Sequence, residues 1–218
     1  MRRARIALAL AALALGAPSV AAPGQDMRQL PLPALKPGEQ QAVFAMGCFW
    51  CAETAFEGLP GVRAVISGFA GGAEPHPTYE QVSAGVTGHA ESVDVIFDPA
   101  KVTYAQLLDL FWHNIDPTSA EGQFCDRGHQ YRSAILYLND DQKRRALASK
   151  RRIETAPRRF KGAIVTEVAP AGTFWPAEEY HQDFYKKSPG RYHEYREGCG
   201  RDRRLIELWG KPGRQGHS

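Results

Sequence analysis

The order of strand-like and helix-like segments is the feature of this 218-residue chain that most constrains its fold. From Gln41 onward, short apolar runs alternate with segments of helical spacing, without a regular strand–helix–strand repeat. This mixed order favours an α+β fold, a two-layer sandwich in a single domain. The predicted strands are 42–46, 61–69, 92–97, 133–138 and 163–168. The predicted helices are 51–58, 103–115, 140–155, 176–186 and 202–209.

The first 21 residues have a different character from the rest of the chain. Arg2, Arg3 and Arg5 precede an apolar stretch at 6–16 that is too short to cross a bilayer comfortably, and small residues follow up to Ala21. This is the pattern of a secretory signal peptide, with a retained membrane anchor as the alternative. We expect cleavage near Ala21 and an exported, periplasmic protein with no stable membrane insertion.

Three further regions follow the predicted signal peptide. The division is an irregular arm rich in Pro and Gly at 22–40, one domain at 41–210 and a flexible tail at 211–218. The hydrophobic fraction of 43% is enough for a sizeable core, and the formal net charge is only +3. Because the basic residues are scattered among acidic ones, we interpret them as a solvated surface and expect no nucleic-acid binding. We expect a monomer.

The segment Gly47–Glu53 is the strongest candidate for chemistry. Cys48 lies between an apolar strand-like run and a segment of helical spacing. At a helix start, unpaired backbone N–H groups and the helix dipole favour a thiolate. Phe49 and Trp50 follow directly, although a helix start has little intrinsic use for two bulky aromatic residues. The segment therefore suggests an activated sulfur beside an apolar pocket, with redox or nucleophilic chemistry.

Four cysteines remain after the predicted cleavage, namely Cys48, Cys51, Cys125 and Cys199. In an oxidising compartment they could form two structural disulfides, with three possible pairings. Against a purely structural role, a chain of this size needs no such bonds, and a Cys-x-x-Cys pair closes a very small loop. A zinc site would need more than one close-spaced pair, so we expect no metal.

Glu91 stands directly before the predicted strand 92–97. If it belongs to that strand, the period of two places its side chain on the same face as Val93, Val95 and Phe97. Burial among these residues would raise the carboxyl pKa and suit a general acid. The alternative is a solvated residue of the preceding loop, and the pattern alone leaves both open.

Three other polar features have weaker signals. The segment 126–132 is dense in polar residues at the mouth of a predicted strand, and Tyr79 lies in a loop rich in Gly and Pro. Either arrangement is also common at ordinary surfaces. His181 lies in an aromatic, acidic segment and is interpreted as a structural histidine.

Taken together, these segments resemble the A-type peptide methionine sulfoxide reductases. The resemblance extends over about residues 41 to 190, in the same order along the chain. The matching blocks are Gly47–Glu53, Gly88–Glu91 with Asp98-Pro99, Phe111-Trp112 with Asp116-Pro117-Thr118, Asp126–Ser133 and Ala177–Gln182. The resemblance implies an α+β sandwich related to ferredoxin-like plaits.

The resemblance also implies an activity, the reduction of the S epimer of methionine sulfoxide, free or in proteins. Cys48 would attack the sulfoxide sulfur, and Glu91 would protonate the departing oxygen, to which Tyr79 and Tyr131 would hydrogen-bond. The resulting sulfenic acid would become a disulfide with a second cysteine, and an external dithiol such as a thioredoxin-like protein would reduce it. No bound cofactor is implied.

The apolar pocket for the substrate methyl group would be formed by Phe49 and Trp50, and Asp126 would shape its polar side. The second cysteine stays open. Cys51 and Cys125 stand where most members of the family have Gly and Asn. The candidates, in order of preference, are Cys199, Cys51 and Cys125. A general thiol–disulfide oxidoreductase using Cys48 and Cys51 is the main alternative function, and it leaves the blocks around Glu91, Tyr79 and Tyr131 unexplained.

Overall fold

The computed structural model describes residues 30–157 and 159–216. The predicted signal peptide and residues 22–29 of the predicted arm lie outside these residues. The strands are β1 Gln40–Met46, β2 Val62–Ala70, β3 Ala90–Phe97, β4 Gly122–Gln123, β5 Asp126–Arg127, β6 Ser133–Tyr137, β7 Glu167–Pro170 and β8 Trp175–Pro176. The helices are α1 Phe49–Phe56, α2 Tyr79–Ser83, α3 Tyr104–Trp112, α4 Asp140–Thr155, α5 Phe184–Lys187, α6 Pro189–Gly198 and α7 Arg201–Trp209. Within the described ranges, no helix is long and apolar enough to cross a bilayer.

Six of the strands form one sheet in the order β7-β6-β1-β3-β2-β8. Neighbouring strands run antiparallel except for β6 and β7, which are parallel. The strand β1 lies near the centre, where Val43 pairs with Asp94 of β3 on one side and with Leu136 of β6 on the other. The short strands β4 and β5 form a separate hairpin.

One face of the sheet carries the larger part of the core. Phe44 on β1 stacks on Phe56 of α1 at 5.1 Å and on Phe111 of α3 at 5.4 Å between ring centroids. Burying each such side chain is worth roughly 1.5–3 kcal/mol. The opposite face packs against Ala171 and Phe174. The predicted α+β sandwich in a single domain is confirmed.

Side-chain caps explain where two of the helices begin. Thr103 accepts the backbone N–H of Gln106, whose side chain accepts the Thr103 N–H in return, so α3 begins with a capping box. Asn139, rather than the neighbouring Asp140, caps α4 by accepting the N–H of Gln142.

The predicted helix 176–186 is replaced by three short elements. Pro176 belongs to β8 and pairs with Gly68, a 3-10 turn covers Glu179–His181, and α5 begins only at Phe184. The side chain of Gln182 explains the interruption, because it bonds both the backbone N–H and the C=O of Ser67. The last predicted strand, 163–168, corresponds to β7, which begins only at Glu167. The helices α2 and α6 were not predicted.

The chain end folds back onto α1, although a flexible tail was expected from residue 211. One guanidinium nitrogen of Arg214 donates to the C=O of Ala55 at 2.8 Å and of Glu57 at 2.7 Å. The backbone N–H of Arg214 donates to Asn114. The last carbonyl groups of a helix have no partner inside it, so Arg214 supplies one. The tail is thus docked as far as Gly216, the last described residue.

Candidate active site

Cys48 lies in the tight connection between β1 and α1. Gly47 has a φ of +79°, and a Cβ atom there would come within 2.6 Å of the Gln123 Cβ, so both backbone and packing require glycine. Cys48 is the residue directly before the first turn of α1, as the sequence predicts. Cys48 and Cys51 are free cysteines, 6% and 1% exposed.

The charge of this cysteine pair differs from the expected thiolate on Cys48. Burial raises the pKa of the Cys48 thiol, with further contributions from the neighbouring Cys51 and Glu91. The pKa of Cys51 is lowered to about 6, chiefly because the Cys48 thiol donates a hydrogen bond to it, and the charge of Arg201 acts in the same direction. The two thiols titrate as a hydrogen-bonded pair that shares one negative charge, and the helix start alone does not offset the burial of Cys48.

Glu91 is the second residue of β3 and belongs to the buried face, which settles the alternative left open by the sequence. Its side chain is 2% exposed and shares its face with Val93 and Val95. The Oε2 atom accepts the backbone N–H of Phe49 at 3.0 Å. Burial raises the pKa of Glu91 to about 8, so the carboxyl is mostly protonated at neutral pH.

Phe49 and Trp50 form an aromatic wall beside Cys48. Phe49 is buried, with its ring centroid 4.9 Å from that of His181. The indole of Trp50 stacks in parallel on Phe184 at 3.7 Å. Its Nε1–H donates to the Nδ1 of His181 at 3.2 Å, which fixes the orientation of both rings.

His181 takes part in this site more closely than its interpretation as a structural residue suggested. Its Nδ1 accepts the Trp50 hydrogen bond, so Nε2 carries the proton. The Nε2 atom is buried and has no hydrogen-bond partner among the described residues. Burial lowers the pKa of His181 to about 4, so the ring is neutral at physiological pH. The sequence signal that could have identified His181 as a site residue was its position in the block Ala177–Gln182, which resembles the reductase family.

Two tyrosines predicted for the site lie close to Glu91. Tyr79 begins α2, and its ring centroid lies 4.3 Å from that of His181. Burial and the charge of Glu91 raise the pKa of Tyr79 to about 12. Tyr131 ends the 3-10 turn before β6, and the same two causes raise its pKa. Both hydroxyl groups therefore keep their protons and are available as hydrogen-bond donors.

Asp126 forms the polar side of the site, together with a residue that the sequence did not single out. Its carboxylate accepts the backbone N–H of Cys48, and its Oδ2 accepts the Tyr195 hydroxyl at 2.6 Å. The ring of Tyr195 packs edge-on against Trp50 at 5.8 Å. Burial raises the pKa of Asp126. Tyr195 thus connects the aromatic and polar sides of the site.

The other two cysteines are joined to each other. Cys125 and Cys199 form a disulfide with their Cα atoms 4.8 Å apart, a separation within the usual range for such bonds. Cys125 is exposed and Cys199 is half-buried. The Cys125 Sγ lies 3.7 Å from Oδ1 of Asp126. All four cysteines are therefore grouped around one site, as two distinct pairs.

Comparison with known proteins decides the family. Residues 40–212 match the family described as "Peptide methionine sulfoxide reductase". The chain belongs to this family. This peptide methionine sulfoxide reductase is an oxidoreductase that reduces methionine sulfoxide to methionine.

Relatives and solved structures agree with the assignment to the peptide methionine sulfoxide reductases. The protein is 50% identical over 169 residues to the peptide methionine sulfoxide reductase MsrA of Bacillus subtilis, covering 78% of this chain and 95% of the relative. Methionine sulfoxide reductase A of Corynebacterium diphtheriae aligns with a TM-score of 0.65 and 36% identity, covering 71% and 77% of the two chains. The reduced form of Mxr1 from Saccharomyces cerevisiae aligns with a TM-score of 0.66 and 28% identity, covering 72% and 90%.

Proposed function

We propose that this reductase acts on the S epimer of methionine sulfoxide, free or in proteins, with Cys48 as the nucleophile and Glu91 as the general acid. One observation carries the proposal. The buried carboxyl of Glu91 binds the N–H of Phe49, the residue next to Cys48, so an acid that is protonated at neutral pH lies beside a thiol. This is the combination that sulfoxide reduction requires, because a sulfoxide is a poor electrophile until its oxygen is protonated.

In the first step the oxygen is activated and the thiol loses its proton. Glu91 donates its proton to the sulfoxide oxygen, to which the hydroxyl groups of Tyr79 and Tyr131 hydrogen-bond. Cys51, which accepts the hydrogen bond of the Cys48 thiol, takes the Cys48 proton. The Cys48 sulfur then bonds to the sulfoxide sulfur. The oxygen ends on Cys48 as a sulfenic acid, and the two-electron-reduced product, methionine, leaves.

The pocket binds the substrate by its shape and polarity. Phe49 and Trp50 provide the apolar surface for the methyl group on sulfur, since both rings are held against His181. Asp126 provides the polar side. This two-sided pocket supports discrimination between sulfoxide epimers, which differ only in the positions of oxygen and methyl group around the sulfur.

Of the three candidate resolving cysteines, we propose Cys51. It already hydrogen-bonds to Cys48, and its lowered pKa favours a thiolate. Its attack on the sulfenic acid forms a Cys48–Cys51 disulfide and releases water. Cys199 and Cys125 are engaged with each other and offer no thiol in this state. An external dithiol of the thioredoxin type then returns the two electrons, and no bound cofactor takes part.

The cellular role proposed here is the repair of oxidised exported proteins by a monomeric enzyme that binds no nucleic acid and is not inserted in the membrane. Export is supported by the signal-peptide pattern that ends at Ala21, which lies outside the described residues. N-terminal sequencing of the protein recovered from the periplasmic fraction tests export directly. A cytoplasmic protein that keeps residues 1–21 would contradict it.

The activity is tested by incubating the mature enzyme and a dithiol reductant with peptides that contain either the S or the R sulfoxide. We expect turnover of the S epimer alone, abolished by Cys48→Ser. Turnover of the R epimer, or activity that survives Cys48→Ser, would contradict the proposal. Disulfide exchange without sulfoxide turnover would instead support a general thiol–disulfide oxidoreductase.

A further inference from the structure

The helix that carries Tyr79 is too short to fix the position of that residue by itself. Helix α2 has five residues, of which Val82 is the buried one. Isolated helices of this length are unstable in water, because so few hydrogen bonds do not offset the cost of nucleation. The capping box between Thr78 and Gln81 lies within the same segment and does not attach it to the rest of the fold. The position of the Tyr79 hydroxyl therefore depends on contacts between α2 and other segments.

Two side chains from distant segments attach the ends of α2. At the last residue of the helix, Nε2 of Gln130 donates to the C=O of Ser83 at 2.8 Å. At the first residue, Oε1 of Glu178 accepts the backbone N–H of Tyr79 at 3.2 Å. The N–H groups in the first turn of a helix have no partner within it, so Glu178 supplies one. Glu178 is thus bonded to the backbone of the residue whose hydroxyl meets the sulfoxide oxygen in the proposed mechanism.

The same glutamate also determines where the Tyr79 ring lies. Glu178 directly precedes the 3-10 turn Glu179–His181, and its C=O accepts the N–H of His181 at 2.9 Å. The His181 ring packs against the Tyr79 ring with 4.3 Å between centroids. Both the backbone and the ring of Tyr79 are therefore held by one turn of the chain that begins 99 residues later in the sequence.

One oxygen of Glu178 lowers the stability of the fold. Its Oε2 atom is buried and has no hydrogen-bond partner among the described residues. A buried acceptor without a partner costs free energy, and a smaller or apolar side chain would avoid that cost. The contact that the carboxyl group does make is the bond to Tyr79. This combination points to a role in placing Tyr79 rather than to a contribution to stability.

We propose, on the basis of the function proposed above, that Glu178 is a positioning residue that places the Tyr79 hydroxyl against the sulfoxide oxygen. A hydrogen bond weakens steeply when its angle is distorted, so a small shift of α2 weakens the bond from Tyr79. That bond matters most while charge develops on the oxygen as Cys48 attacks the sulfur. Loss of Glu178 therefore lowers the rate constant of methionine formation and leaves the affinity for the substrate unchanged.

A double-mutant cycle between Glu178→Ala and Tyr79→Phe tests the proposal. Single-turnover methionine formation is measured at pH 7 over a range of S-sulfoxide peptide concentrations. We expect Glu178→Ala to lower the saturating rate about 10- to 10²-fold, as a misplacement of about 1 Å does, with the half-saturating concentration unchanged. In the Tyr79→Phe background there is no hydroxyl to place, so the same substitution should have no further effect.

The cycle distinguishes failure of the positioning role from failure of the proposed mechanism. If the losses of the two single variants multiplied in the double variant, Glu178 would act independently of the Tyr79 hydroxyl and the proposal would be overturned. A wild-type rate in Glu178→Ala would overturn it as well. A wild-type rate in Tyr79→Phe would instead contradict the mechanistic role of Tyr79 itself, and the positioning of its hydroxyl with it.

A second variant keeps the test informative if Glu178→Ala does not fold. The amide oxygen of Glu178→Gln can accept the Tyr79 N–H, so we expect this variant to keep most of the wild-type rate. The matched control is Glu179→Ala, because the adjacent Glu179 is exposed and pairs with Lys187 at 2.8 Å. We expect its rate to be close to wild type. A Glu178→Gln rate as low as that of Tyr79→Phe, or an equal loss in Glu179→Ala, would overturn the role of the bond from Tyr79 to Glu178.

Discussion

Glu91 and Phe49 are joined by a 3.0 Å hydrogen bond from the backbone N–H of Phe49 to the Glu91 Oε2. The bond connects β3 to the first turn of α1 and fixes the distance between the proposed acid and Cys48. The N–H of Phe49 is one of the helix-start donors that have no partner within the helix. A single carboxyl thus stabilises the start of α1 and places a proton donor at the site.

Replacing Glu91 with glutamine separates these two roles. Glu91→Gln keeps an oxygen that can accept the Phe49 N–H but removes the acidic proton. We expect kcat for S-sulfoxide reduction to fall about 10²- to 10⁴-fold, the usual contribution of general acid catalysis. Single-turnover methionine formation at pH 7 measures this loss without interference from the reductant.

Glu53→Gln is the matched control for that variant. Glu53 on α1 is also a buried carboxyl whose pKa is raised to about 8 by burial. Its oxygens accept the N–H of Asp183 and the Ser67 hydroxyl rather than a group at the pocket. We expect near-wild-type turnover at pH 7. If both variants lost activity equally, the loss would be a general effect of replacing a buried carboxyl group. That result would contradict the acid role of Glu91.

The pH dependence of turnover follows from two shifted pKa values. The acid Glu91 is protonated below its pKa of about 8, so activity should fall as the pH rises through 8. Cys51 must be a thiolate to accept the Cys48 proton, and its pKa of about 6 predicts a fall below pH 6. The expected profile of single-turnover rates is a bell between these values. A rate that keeps increasing above pH 8 would contradict the acid role of Glu91.

The role of Cys51 as the resolving cysteine predicts a trapped intermediate. In Cys51→Ser, prepared with the Cys125–Cys199 disulfide intact, we expect one methionine per enzyme and a persistent sulfenic acid on Cys48. Labelling with a sulfenic-acid-specific reagent and mass spectrometry detects it, and Cys48→Ser serves as the blank. Loss of the sulfenic acid from the variant as fast as from the wild-type enzyme, with no reductant added, would contradict the resolving role of Cys51.

Glu53 also predicts how stability changes with pH. Its pKa is about 8 in the folded protein and near 4.5 when unfolded, so its contribution to stability is fully present below pH 4.5 and is lost as the pH rises through 8. This loss is at most about 5 kcal/mol. Urea unfolding at pH 5 and pH 8 should show a smaller decrease for Glu53→Gln than for wild type. Equal decreases would mean that Glu53 ionises normally in the fold.

Local periodicity predicted the part of the site that lies on neighbouring residues. The period of two along β3 places Glu91 on the face of Val93 and Val95, and the apolar run before Cys48 marks the junction of β1 and α1. Such signals need only a few consecutive residues. The same reasoning failed for 176–186, where a contact with Ser67, 115 residues away from Gln182, interrupts the helix.

Contacts between distant segments account for what the sequence did not reveal. His181 accepts a hydrogen bond from Trp50, which lies 131 residues away in the sequence. Asp126 accepts one from Tyr195, 69 residues away. The pairing of Cys125 with Cys199 was one of several pairings that four cysteines allow. The lowered pKa of Cys51 is due chiefly to its hydrogen bond from Cys48, within the segment Gly47–Glu53, but the charge of Arg201, which acts in the same direction, comes from far along the chain.

Arg214 gives the end of the chain influence over its redox centre. Because this residue supplies the partner for the carbonyls of Ala55 and Glu57, the helix that begins beside Cys48 is finished by the last described segment of the protein. Proteolytic trimming of the C-terminus, or a purification tag fused to it, would therefore act on the cysteine-bearing helix from its far end, without touching the pocket.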